Sequence, residues 1–314
     1  MEVDSVHRRV VITGGPYCVP VADPMMQHMA GMEMPTTPVQ RFRWPVDAQL
    51  HGFRIELVDA QGRPLPRRLL HHFIVVNFGR RQLLYAAAER LLGVAAESEA
   101  SGYTIPKTIG VPLSAGQEMG VYAAWHNETG AEVPAAYWRL TMEWLPRNLR
   151  PHPLDVLPVY IDANLRIPDG STFPVPPGPY SRAFEFTAPL SGHLVVVGGH
   201  LHDYGLAVRL EDAATGKELV SVRAKRDSAG HVLDVPRKLL ALRGPGLHLT
   251  ANHRYRLVGL YDNTSGDTLP GVMASMVGLF APDDYRHWPA IDPQDTTYQK
   301  DIADLLRATG PVSR

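Results

Sequence analysis

A chain of 314 residues with net charge −1, 45% hydrophobic and 20% charged residues is long and apolar enough to bury two cores of ordinary domain size. This balance gives no electrostatic footprint for nucleic acid or an anionic membrane surface, and no run reaches the roughly 18 apolar residues of a spanning helix. Cys18 is the single cysteine, so no intrachain disulfide exists and stability must come from burial.

Residues 1–30 read as a methionine-rich N-terminal extension, and the first nine carry no signal-peptide apolar region. Five of the ten methionines fall between Met25 and Met34. They suit adaptable apolar contacts, with thioether capture of Cu(I) as the alternative. From there strand-like runs recur at 40–44, 52–58, 71–78, 121–126 and 138–144, separated by turn residues. The segment 80–92, with Leu83, Leu84, Ala87, Leu91 and Leu92 at ragged helical spacing, predicts a helix packed on a sheet. A proline-rich stretch, 146–155, reads as a hinge. Beyond it come strand-like runs at 156–161, 194–197, 206–211, 219–223 and 255–261. A tail, 285–314, carries a short predicted helix at 297–308, where Ile302, Leu305 and Leu306 repeat at helical spacing and Gly310 offers a stop. The expectation is a mostly β protein of two consecutive antiparallel β-sandwich, jelly-roll-like domains, 31–145 and 156–284.

Six candidate metal ligands are distributed over these two halves. His200 and His202 follow a β-branched run, and at i and i+2 of a strand they share a face and can close on one ion. Met276, in a second strand-like run, offers a soft donor that favours Cu(I); Met273 is its rival. His71 and His72 are adjacent, so both can serve one metal only at a strand start or bulge. His126 ends another strand. Asn127 and Asp203, which directly follow ligand candidates, are candidates for hydrogen bonds to imidazole. His51, His193 and His287 have no spaced partners in the sequence.

This ligand order resembles the copper type II, ascorbate-dependent monooxygenases, the family of peptidylglycine α-hydroxylating monooxygenase and dopamine β-monooxygenase. The likeness runs from about Gly31 to about Pro282, including a Met32-Glu33-Met34-Pro35 opening and the run Met276-Val277-Gly278-Leu279-Phe280. It implies two copper ions per chain, one on His71, His72 and His126 that stores an electron from ascorbate or a similar reductant. The other, on His200, His202 and Met276, would be catalytic, binding dioxygen and attacking a C–H bond of a small-molecule substrate. The single cysteine suits either the cytosol or a bacterial periplasm, and the resemblance points to a secreted or periplasmic setting. The peptide-amidating members hold a substrate carboxylate with Arg, Asn and Tyr where this chain has Gly198, Gly278 and Phe280, which predicts a wider, less polar pocket and a neutral or apolar substrate. A copper-binding or scaffold protein without turnover is the competing reading.

Overall fold

The computed structural model describes residues 1–22, 36–95, 101–127, 129–165, 170–242 and 244–307. The methionine cluster of 25–34 and the Met32–Pro35 motif lie outside them.

Alternation of apolar and polar residues along each strand builds the layers. In Val133–Pro146, Trp138, Leu140 and Met142 turn inward and are fully buried, while Arg139 and Glu143 alternate outward. The first sandwich sets one sheet, in the order Arg9–Val19, Val133–Pro146, Ala48–Val58, Ile109–Leu113, against another of Gln40–Arg43, Glu118–Trp125, Leu70–Arg81 and Ala88–Ala95. Numbered along the chain, these eight strands run 1-8-3-6 against 2-7-4-5, the arrangement of a jelly roll. The second half repeats it. Leu157–Asp162, Ala274–Pro282, Gly192–Leu201 and Lys238–Leu239 form one sheet, and Gly178–Thr187, Arg254–Asn263, Gly205–Asp212 and Glu218–Arg223 the other. The chain is a mostly β protein built of sandwiches.

Each sandwich has its own core. Phe73 meets Trp138 edge to face across the first, with ring centroids 5.3 Å apart, and Phe173 meets Tyr261 in the second at 5.9 Å. The halves also pack on each other: Val195, Leu279 and Ala281 join the core of the first sandwich, and Leu83 inserts into the second. The sheet carrying Gly192–Leu201 thus buries both faces. That double burial positions the site described below.

Three sequence expectations change. Residues 1–22 are not a separate extension, because Arg9–Val19 pairs along Val133–Pro146 inside the first sheet. The stretch 146–155 is no free hinge: Leu154–Asp155 pairs in parallel with Ile109–Leu113, and the Val156 N–H donates to the Gly110 carbonyl at 3.0 Å. The predicted helix at 80–92 is a tight loop followed by a strand, Ala88–Ala95, paired antiparallel to Leu70–Arg81. Its leucines serve different places, Leu83 filling the second core while Leu91 and Leu92 fill the first. Ladder hydrogen bonds and two separate burials outweigh a ragged helical spacing.

The terminal helix forms at Thr296–Leu306, capped by Asp295, whose carboxylate accepts from the Thr297 and Tyr298 N–H groups at 2.8 and 3.1 Å. It is pinned to the first sandwich by Arg90, which donates to both carboxylate oxygens of Asp301 at 2.7 Å.

Candidate metal centre

The centre starts from a defect in a strand. Leu70 and Phe73 both point into the first core and are fully buried, so the two residues between them cannot alternate. The register against Glu118–Trp125 shifts between Leu70 and His72. This bulge turns His71 and His72 to the same outer face, with ring centroids 4.2 Å apart. His126 follows the end of the neighbouring strand, its N–H donating to the Leu69 carbonyl at 2.9 Å, and its ring lies 6.3 Å from His71.

The other pair arrives from the second sandwich. His200 and His202, two residues apart as the strand Gly192–Leu201 ends, have ring centroids 5.0 Å apart and nearly perpendicular planes. The His72 ring is 5.5 Å from His200. All five imidazoles thus form one row, His126, His71, His72, His200, His202, across the junction of the sandwiches. The predicted three-His and two-His groups are neighbours. The Nε2 atoms of His200 and His202 are buried from solvent.

Met276 is not part of this row. Directly paired residues on adjacent strands share a face, and the pairing aligns Ile161, Met276 and Gly199 on one face and Asp162, Ser275 and His200 on the other. The first face is the core of the second sandwich, where Met276 is 1% exposed among Ile161, Leu201 and Ala274. The expected thioether ligand therefore points away from the histidines, because period-two alternation places residues 276, 278 and 280 together on the core side. Met273 falls on the other parity. Extending the register one residue beyond the Leu201–Ala274 pair sets it opposite His202. Met276→Leu is expected to cost less than about 1.5 kcal/mol of stability, as a volume-conserving core change, and to leave metal binding intact. If the histidine row holds Cu(I), Met273→Leu is the change that should weaken it. Chelator competition on both variants decides this, and a loss confined to Met276→Leu would overturn the register.

Gly278 and Phe280 follow Met276 inward, Phe280 fully buried, so they do not widen a pocket beside the histidines. Gly198 does face outward, and the space a side chain would occupy there is filled by Arg237, whose Cγ lies 3.3 Å from an ideal Cβ. The Arg237 guanidinium rests over the Tyr103 ring at 4.6 Å, which places a cation on this face where the sequence predicts an apolar void.

Pairing also brings groups the sequence did not reveal. Asp162, fully buried on the His200 face, accepts a 2.5 Å hydrogen bond from the Tyr160 hydroxyl, and its N–H donates to the Tyr85 hydroxyl at 3.0 Å. Burial pushes the Asp162 carboxyl above the usual range, with the Tyr160 hydrogen bond opposing. The Tyr160 hydroxyl is raised by burial and then by Asp162. No spacing in the chain announces this cluster, since Asp162 and His200 meet only through the intervening strand Ala274–Pro282. Asn127 and Asp203 have other duties. Asn127 ties Val19 and Ala131 in a turn, and Asp203 accepts from the Val232 N–H at 2.9 Å.

No family model matches this chain, and no curated protein does. Among solved structures it is similar to the major capsid protein P2 of bacteriophage PM2, at 11% identity and TM-score 0.40, covering 88% of this chain and 98% of that one. The structure of Sulfolobus turreted icosahedral virus aligns at 12% identity and TM-score 0.43, over 96% and 99%. A glycosylasparaginase, PNGase F, from Flavobacterium meningosepticum aligns at 10% identity and TM-score 0.41, over 86% and 95%.

Proposed function

We propose that the histidine row holds copper and that the protein is a copper-dependent monooxygenase, using dioxygen and a small reductant such as ascorbate to hydroxylate a C–H bond of a small molecule. The observation that carries this reading is the convergence of His71, His72 and His126 from one sandwich with His200 and His202 from the other. Five imidazoles are a donor set that fits copper, and Met273, opposite His202 if the ladder is extended by one residue, is the candidate for the soft donor that the family resemblance assigns to Met276. Bound copper would supply the one-electron chemistry that dioxygen requires.

The chain's own residues then have defined tasks. The bulge at His71 and His72 brings two ligands to one face, and the burial of Val195, Leu279 and Ala281 in the first core docks the sheet that carries His200 against the first sandwich. Asp162 is the buried carboxyl on the His200 face, held by the Tyr160 hydroxyl. The Arg237 stem beside Gly198 narrows the space there, and its guanidinium is taken up by the Tyr103 ring, so the substrate panel includes carboxylates as well as neutral compounds to test whether that cation is reached.

The orientation of Met276 favours a second reading, copper binding without turnover. The deciding assay supplies copper, ascorbate and oxygen and follows reductant-dependent oxygen uptake with neutral aromatics, lipids and a glycine-extended peptide. Coupled uptake that His200→Ala abolishes is the expected result; none with any compound would leave copper binding alone.

A further inference from the structure

We propose that His193, His248 and Asp283 form a separate zinc site at the opposite end of the same sheet. His193 lies at the start of Gly192–Leu201, His248 within Leu247–Leu249, and Asp283 directly after Ala274–Pro282. Sheet pairing fixes all three. His193 sits opposite His248 on one side and Ala281 on the other, and the Asp283 N–H donates to the Ser191 carbonyl at 3.0 Å.

The side chains converge. His193 Nδ1 is 3.6 Å from Asp283 Oδ1, and His248 Nε2 is 3.5 Å from Asp283 Oδ2. The two imidazole centroids are 4.7 Å apart, and one ligand atom from each residue lies within 4.8 Å of the others. Charge-assisted hydrogen bonds close to about 2.7–2.9 Å, so these contacts are long for simple ion pairs. Each is close to the ligand–ligand edge of a tetrahedron around zinc, about 3.4 Å for metal–ligand bonds near 2.0–2.1 Å; the two run to different oxygens of Asp283, so a small turn of the carboxylate or of one imidazole completes the set. Two imidazoles and a carboxylate are a zinc ligand set that leaves the fourth position to water.

Entry is open, since the three side chains are 24%, 46% and 50% exposed. The site is also remote from the histidine row. His193 and His200 occupy one strand seven residues apart, roughly 23 Å at 3.3 Å per residue, so no shared ion reaches both. Zinc here joins the short strand Leu247–Leu249 and the end of Ala274–Pro282 to the sheet, as a clamp on three chain segments.

The test is calorimetric titration of metal-free protein with zinc chloride, together with thermal melting, on four forms. Wild type and His200→Ala should share a zinc site that His248→Ala and Asp283→Asn weaken by at least about 100-fold, the upper end of what even outer-sphere changes cost. Zinc should raise the melting midpoint of wild type and His200→Ala by more than it raises that of His248→Ala or Asp283→Asn, in which the histidine row is the remaining zinc ligand set. Asp283→Asn keeps the side-chain shape and separates ligation from folding. Wild-type zinc affinity in both His248→Ala and Asp283→Asn, or loss of all zinc binding in His200→Ala, would overturn the proposal.

Discussion

Replacing His200 with alanine is expected to weaken copper binding by both histidine groups and not by its own alone. The His200 ring is 5.5 Å from His72 and 5.0 Å from His202, so it is as much a neighbour of the first group as of its own. Removing it opens the middle of the row. The same follows for His72→Ala, and the double variant should be non-additive, with a coupling in the range of about 0.5–3 kcal/mol typical of groups in contact. Copper per chain after gel filtration, with chelator competition for affinity, measures all three. If His200→Ala loses one ion while the other keeps its wild-type affinity, the two groups are independent sites.

Glu89→Ala should give the largest loss of stability, about 3–5 kcal/mol, the cost of leaving a buried charge without its partner. The Arg80 side chain is 10% exposed and Glu89 1%; the guanidinium donates to both carboxylate oxygens at 2.6 and 2.8 Å, and Asn77 adds a third bond at 3.0 Å. Burial opposes the Arg80 charge, yet the Glu89 carboxylate more than compensates and holds its pKa above the ordinary value. The double change Arg80→Met with Glu89→Leu should recover part of the loss, because an apolar pair needs no charge balance, while the buried Asn77 amide it leaves without Glu89 keeps about 1–3 kcal/mol of the cost. Urea unfolding reads both through the midpoint at constant slope. A Glu89→Ala protein within about 1 kcal/mol of wild type would show that water reaches Arg80.

The amino-acid sequence determined what depends on near neighbours. Strand-like runs bounded by turn residues announced ten strands, and the terminal helix was legible from Ile302, Leu305 and Leu306. The adjacency of His71 and His72 stated its own structural condition, a strand start or bulge, and the register shift meets it. Tertiary structure decided what depends on partners far along the chain. Whether Met276 or Met273 shares a face with His200 rests on pairing to Gly199 and Ser275, and a one-residue change in register exchanges the two faces. The leucines of 80–92 looked helical because spacing along the chain cannot show that Leu83 is claimed by one core and Leu91 by another. His193 appeared solitary for the same reason, its partners His248 and Asp283 being brought to it by neighbouring strands. Side-chain direction along a strand is set by the local backbone, whereas the face that direction meets is set by which strands pair and which sandwich docks.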